Sequence, residues 1–259
     1  MVLALKIVLT PAVMVGATLA GRRFGGAVSG WLIGLPLTSG PLVLIIALQH
    51  GRHFAARTAT GSLSGCVAEA AFCLGWLAGS RRGRGVALAS ASAAFAVAAV
   101  AVHPLPYAAL VPLALASLLV ALRILPPFAP RTEGSVRTPR WNLPARALVA
   151  LAIVLALTAA APTIGARLTG LLAVYPLYSA VLAVFAAAAA IGILRGLLLG
   201  LFSFVAFYAV LAPLLAHAST GVAFACAIAA ALVTQAATAR NLRPRASRSA
   251  PDLPPVAAS

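Results

Sequence analysis

Apolar runs of about 20 residues, separated by short arginine-containing breaks, occupy almost the whole chain and constrain its fold more than any other feature. A helical run of this length crosses the hydrocarbon core of a bilayer. The composition agrees, because 63% of the residues are hydrophobic and only 8% are charged, against about 25% charged residues in soluble domains. The sequence therefore predicts an all-α, polytopic integral membrane protein surrounded by the lipid bilayer.

Nine of the apolar runs are predicted to be transmembrane helices. Their approximate limits are 2–20, 25–48, 54–79, 85–102, 104–123, 145–162, 166–190, 195–215 and 218–238. A misread short run would change the number to eight or ten.

The basic residues predict the orientation of these spans. When nine spans alternate across the membrane, fifteen Lys and Arg residues fall on one face and only Lys6, Arg52, Arg57 and Arg167 on the other. The richer face is predicted to be cytoplasmic, so the N-terminus lies outside and the C-terminus inside. The net charge of +16 is thus a topology signal, and we expect no nucleic-acid partner. Abundant Ala, Arg, Gly and Pro suggest a GC-rich bacterial genome and hence the bacterial inner membrane.

A repeated pattern, G-x5-P-L-x-S, begins at Gly30 and returns 140 positions later at Gly170. The same shift superposes the first four spans on the last four. Corresponding helices are five spans apart, an odd number, so they cross the membrane in opposite directions. The sequence predicts two inverted-topology repeats of four helices joined by a connecting helix. Its units are a first membrane half, 1–123, a cytoplasmic Pro/Arg linker, 124–144, the second inverted repeat, 145–239, and a disordered basic tail, 240–259.

Each copy of the pattern carries a proline, Pro36 or Pro176, near the middle of an apolar run. A proline there removes a backbone donor and crowds the preceding turn, which predicts two broken helices. Paired broken helices in inverted repeats resemble the build of secondary transporters, the class that includes sodium/proton antiporters and bile-acid symporters, although their motifs are missing. The resemblance implies transport of a small solute. The expected substrate-binding residues are Gly34, Pro36, Thr38, Ser39, Tyr175, Pro176, Tyr178 and Ser179.

Glu69 is the one acidic residue within a predicted span, since Glu133 and Asp252 fall in the linker and the tail. An ionised carboxylate at that depth is costly unless it is protonated or paired, so Glu69 is the candidate proton-coupling group. A neutral glutamic acid that only joins two helices is the alternative. The second repeat has Ala209 at the corresponding position, beside Tyr208.

Rows of glycine predict how the first broken helix packs. Gly61, Gly65 and Glu69 are spaced four residues apart, and Gly30 and Gly34 belong to a similar row. Small residues let helices approach closely. We therefore expect the second and third spans to meet, with Gly34 near Gly65 and Glu69 near the Pro36 break.

Other kinds of function have little support in the sequence. It contains no Walker loop, dinucleotide fingerprint, serine-histidine-acid set or carboxylate pair, so we expect neither an enzyme nor a cofactor. The histidines fall at external span ends without acidic or cysteine companions, and the three cysteines lie in apolar runs, so no metal site and no disulfide are expected. Two alternatives stay open. The prolines could simply kink helices whose neighbours satisfy the freed carbonyls, and the chain could be a non-transporting membrane scaffold or assembly subunit. A homo-oligomer is compatible with either function.

Overall fold

The structure is a computed structural model that describes residues 31–127, 152–176 and 190–239, apart from 33, 37, 38, 153, 154, 157 and 158. Every element within these ranges is a helix. A 3₁₀ turn, Ser80–Arg82, follows the second α-helix, and residues 159–164 are also helical. The α-helices are α1 (Ser39–His50), α2 (Arg52–Gly79), α3 (Arg84–Val102), α4 (Tyr107–Ile124), α5 (Ala166–Leu172), α6 (Ala190–His217) and α7 (Thr220–Ala239).

Five helices, α2, α3, α4, α6 and α7, are long and apolar enough to cross a membrane. They correspond to the third, fourth, fifth, eighth and ninth predicted spans, with ends that agree within a few residues. The prediction of an all-helical chain with membrane-spanning helices is confirmed to this extent. The first predicted span lies outside the described residues, and the second, sixth and seventh lie partly outside them. The number nine and the inverted repeat therefore stay predictions.

Helices α2 and α6 form the centre of the bundle. Each has 28 residues, the two contact each other, and every other α-helix contacts one or both of them. Most of the length of α2 and α6 is buried, whereas α3, α4 and α7 bury only one side. An apolar helix that is exposed on one side is suited to face lipid there, so α3, α4 and α7 are the outer helices of the described bundle.

Hydrogen bonds between helix ends fix the directions of the central helices. Arg52, at the start of α2, donates from Nη1 to the carbonyl of Ala218, just after the end of α6 (2.6 Å). Arg195, near the start of α6, donates from Nη1 to the carbonyls of Leu122 and Leu125 at the end of α4 (2.8 and 2.7 Å). Helix α6 therefore runs antiparallel to both α2 and α4.

The bundle has two chemically different ends. At the histidine end, α1, α3 and α6 finish and α2, α4 and α7 begin; at the arginine end, α2 and α4 finish and α3 and α6 begin. The histidine end carries His50, His53, His103 and His217. The arginine end carries Arg81, Arg82, Arg84, Arg123 and Arg195. The helices that follow one another without a long gap in the described residues, α1 to α4 and α6 to α7, thus alternate in direction as the sequence predicts.

Candidate functional site

The first proline break interrupts the second predicted span. Residues 34–36 form a turn, and α1 begins shortly after it. Pro36 has no N–H, so the carbonyl of Leu32 loses its usual donor four residues ahead and accepts a hydrogen bond from the N–H of Leu35 (3.2 Å). The carbonyl of Pro36 then accepts a hydrogen bond from Gly40 in the first turn of α1 (2.9 Å). The bond just before Pro36 therefore has the three-residue spacing of a turn, where a continuous helix would bond four residues back.

The second break has the same hydrogen bond before its proline. Helix α5 ends at Leu172, and the N–H of Tyr175 donates to the carbonyl of Leu172 (3.2 Å) just before the buried Pro176. This bond lies 140 positions after the bond from Leu35 to Leu32. The backbone ahead of each proline thus tightens in the same way, by bonding three residues back and not four.

Side chains of neighbouring helices cap the carbonyls that the breaks release. The carbonyl of Trp31 accepts a hydrogen bond from Nε2 of Gln235 on α7 (3.1 Å), and that of Gly170 accepts one from Oγ of Ser62 on α2 (3.3 Å). Without water in a bilayer core, an uncapped carbonyl would be costly. Ser62 and Gln235 were not among the predicted site residues, and their only signal in the sequence is a polar side chain within an apolar run.

Each break packs against a central helix of the other half of the chain. Gly34 lies against α6, where a Cβ added to it would come 2.6 Å from the Cα of Gly200. Gly65 of α2 lies against the second break, where an added Cβ would come 2.7 Å from the Cβ of Val174. The structure therefore gives Gly34 and Gly65 different partners and does not pair them as predicted. Rows of small residues present similar surfaces, so their spacing alone does not choose between neighbours.

This packing places Glu69 beside the second break. Glu69 follows Gly65 by one helical turn and precedes Phe72 by three residues on α2. The ring of Phe72 meets the ring of Tyr175 edge to face, with centroids 6.4 Å apart. The stretch of α2 that contains Glu69 is thus the stretch that Val174 and Tyr175 cross.

The Glu69 side chain is only 5% exposed. Within the described ranges, no residue forms a hydrogen bond or an ion pair with its carboxyl group. Its electrostatic neighbours on α2 are Cys66 and Cys73, both of them buried free thiols. Glu69 is therefore a buried carboxyl group that no described residue neutralises.

Tyr175 is held at mid-depth by α3. Its ring meets that of Phe95, near the middle of this helix, at a centroid separation of 5.1 Å, and its hydroxyl lies 3.0 Å from Oγ of Ser92. Tyr175 is still 36% exposed. An aromatic ring with a polar tip in this position is suited to line a site for an organic solute.

A hydroxyl cluster, formed by Ser39, Ser62 and Tyr208, lies where α1, α2 and α6 meet. All three side chains are buried, and the hydroxyls of Ser39 and Ser62 lie near that of Tyr208, which forms no hydrogen bond with a described residue. The contact of α1 with α6 continues at Gly40, where an added Cβ would come 3.7 Å from the ring of Phe207. Because Ser62 also caps the carbonyl before the second break, the cluster connects both broken helices through the centre of the bundle.

The structure places the predicted site residues that it describes in two groups. The first break has Gly34, Pro36 and Ser39, and the second has Glu69, Tyr175 and Pro176. Thr38, Tyr178 and Ser179 lie outside the described residues. No three His, Cys, Asp or Glu side chains among the described residues could share a metal ion. The two groups therefore offer a carboxyl group, hydroxyls and an aromatic ring, which suit a proton or a small polar solute.

The chain matches no protein-family model, no curated protein and no solved structure.

Proposed function

We propose that this protein is a secondary transporter or permease whose two proline-broken helices line a central solute path. The observation that carries the proposal is the reciprocal packing of the breaks, the first against Gly200 of α6 and the second against Gly65 of α2. Broken helices that cross long helices of the opposite half are suited to alternating access, because each break can move with one half relative to the other.

The same packing supports the finer proposal of nine spans in two inverted repeats. Helices α2 and α6, which correspond under the 140-residue shift, are antiparallel neighbours. Helix α3 packs on α2 as α7 packs on α6. The bond from Leu35 to Leu32 recurs from Tyr175 to Leu172. A two-fold axis in the membrane plane would produce each of these correspondences.

Orientation and coupling complete the proposal. We assign the arginine end to the cytoplasm of a bacterium, with the N-terminus outside, because basic residues concentrate on the cytoplasmic side of inner-membrane proteins. Glu69 is proposed to carry the coupling proton, because it is the one acidic residue in the described spans and adjoins the second break.

The test is whether water reaches the first break from both sides of the membrane. Ser39→Cys is introduced into a chain whose native cysteines are replaced by alanine, and its reaction with a charged thiol reagent is measured in right-side-out and inverted vesicles. Ser39 is 2% exposed in the described conformation, so reaction requires a second conformation. Transport predicts reaction from both sides. Protection from both sides would contradict the proposal and favour a scaffold.

The proton-coupling role is tested in the same vesicles by varying pH. If protonation of Glu69 shifts the conformational equilibrium, the Ser39→Cys rate, divided by that of an exposed His103→Cys, changes with pH. Glu69→Gln should abolish this change, whereas Glu133→Gln, the same substitution outside the predicted spans, should preserve it. An unchanged pH dependence in Glu69→Gln would exclude the coupling role while leaving transport itself open.

The alternative is a non-transporting membrane scaffold, and a specific observation favours it. Gln235 and Ser62 already satisfy carbonyls released by the breaks, as they would in two helices that are merely bent. The thiol accessibility of Ser39→Cys separates the two functions, because a scaffold has no need to open the region that Ser39 occupies.

A further inference from the structure

Arg57 and Arg167 are 110 positions apart in the sequence but come together at the histidine end. The backbone of Arg167 presses against Gly61 of α2, so closely that a Cβ on that glycine would overlap the Arg167 carbonyl. Arg57 lies one turn before Gly61 on the same helix. Two of the three arginines that the structure describes at this end are therefore neighbours.

The pair is not neutralised by the described part of the chain. Arg167 donates from Nη2 to the carbonyl of Leu105, but its buried Nε has no hydrogen-bond partner among the described residues. The two guanidinium groups repel each other. Glu69, the one acidic residue in the described ranges, lies twelve residues further along α2, about 18 Å from Arg57. Bringing two like charges together without an acid favours binding of an anion between them.

We propose that Arg57 and Arg167 form a binding site for a phosphate-type oxyanion at the histidine end. Guanidinium groups offer planar pairs of N–H donors that match the oxygen atoms of a phosphate. Arg57 is exposed and free to approach a ligand, whereas Arg167 is partly anchored by Leu105. The phosphate could come from a soluble anion or from a phospholipid headgroup, and the experiment separates these sources. The proposal does not depend on transport.

The site is tested by thermal unfolding of the full chain, purified in a neutral detergent and freed of lipid. A thiol-reactive fluorophore reports unfolding in chains that carry Cys226→Ala, because Cys66 and Cys73 are buried in the folded protein whereas Cys226 is exposed. Sodium phosphate is compared with sodium chloride at equal ionic strength, and saturating phosphate should raise the unfolding midpoint by about 3 °C. Losing one guanidinium should weaken apparent phosphate affinity about tenfold.

Arg57→Gln is the main variant, because Arg57 is exposed and has no hydrogen bond to any described residue. Arg57→Gln should need about ten times more phosphate for the same shift in midpoint, without lowering the midpoint in chloride. Arg167→Lys should also weaken the phosphate response. Arg123→Gln removes an exposed arginine at the other end of the bundle and should respond as the wild type does. Equal phosphate responses in Arg57→Gln and wild type would overturn a site for soluble phosphate.

The lipid source is examined by adding phosphatidylglycerol or phosphatidylcholine to the same micelles. If phosphatidylglycerol alone stabilises the protein, and Arg57→Gln removes that stabilisation, the site binds a headgroup phosphate. A response to soluble phosphate with the same dependence on Arg57 would assign it to a soluble anion. If neither phosphate nor phosphatidylglycerol acts through Arg57, the proposed site does not exist.

Discussion

At the scale of single residues, side chains from neighbouring helices compensate for what the prolines remove. Pro213 lies inside α6 and has no N–H for the carbonyl of Ala209, which instead accepts a hydrogen bond from the hydroxyl of Tyr107 on α4 (2.5 Å). Gln235 and Ser62 cap released carbonyls at the two breaks. Helix α6 stays continuous at its proline, so a proline in an apolar run does not by itself produce a break.

Replacing Tyr107 by phenylalanine should test this compensation, because it removes one hydroxyl and leaves the ring. Since Ala209 would lose its donor, we expect the free energy of unfolding in detergent to fall by about 1 kcal/mol. In a Pro213→Ala background the new N–H of residue 213 can bond to the carbonyl of Ala209. Replacing Tyr107 by phenylalanine should then lower the free energy of unfolding much less. A double-mutant cycle measures the difference. Equal losses in both backgrounds would show that the Tyr107 hydroxyl does not act through this carbonyl.

At the scale of helices, glycines determine how closely the broken segments approach the centre. Gly170 of α5 lies against the backbone of Thr58 on α2, and Gly61 lies against the backbone of Arg167. With no side chain on either glycine, the two backbones come into direct contact. Helix α5 has only seven residues, too few to be stable alone, so this contact holds it in place.

The substitution Gly170→Ala should therefore destabilise the protein. Its Cβ would overlap the carbonyl oxygen of Thr58, and overpacking of this kind costs about 1 to 3 kcal/mol. Gly221→Ala is the matched control, because Gly221 lies in α7 with no atom within 4 Å of its added Cβ. The control should be neutral or slightly stabilising. If thermal unfolding in detergent gives the two variants the same midpoint, close packing at Gly170 is not required.

At the scale of the whole molecule, the sequence predicts helices and their directions better than their contacts. Apolar length depends on each segment alone, so the limits of α2, α3, α4, α6 and α7 follow from it. Contacts depend on which of several similar surfaces meet. The glycine rows therefore did not reveal that Gly65 meets Val174, or that the stretch of α2 around Glu69 meets the second break. The pairing of Arg57 with Arg167 likewise depends on how α5 crosses α2.

Because the helices alternate in direction, the two ends of the bundle should lie on opposite sides of the membrane in intact cells. Ser80 and His103 lie at opposite ends of α3, and Ser219 follows α6 at the histidine end; all three are exposed. In a chain whose native cysteines are replaced by alanine, each is changed to cysteine and treated with a membrane-impermeant maleimide. The positive-inside bias predicts that His103→Cys and Ser219→Cys react in intact cells, whereas Ser80→Cys reacts only after lysis.

A cysteine in place of Val97 provides the internal control for this experiment. Val97 lies within α3, and 71% of its side chain is exposed on the surface of the bundle, so in a bilayer lipid should cover it and block the reagent before and after lysis. Reaction of Ser80→Cys alone in intact cells would reverse the orientation but keep the alternation. Reaction of Ser80→Cys and His103→Cys from the same side would mean that α3 does not cross the membrane, and the five-helix arrangement would then be wrong.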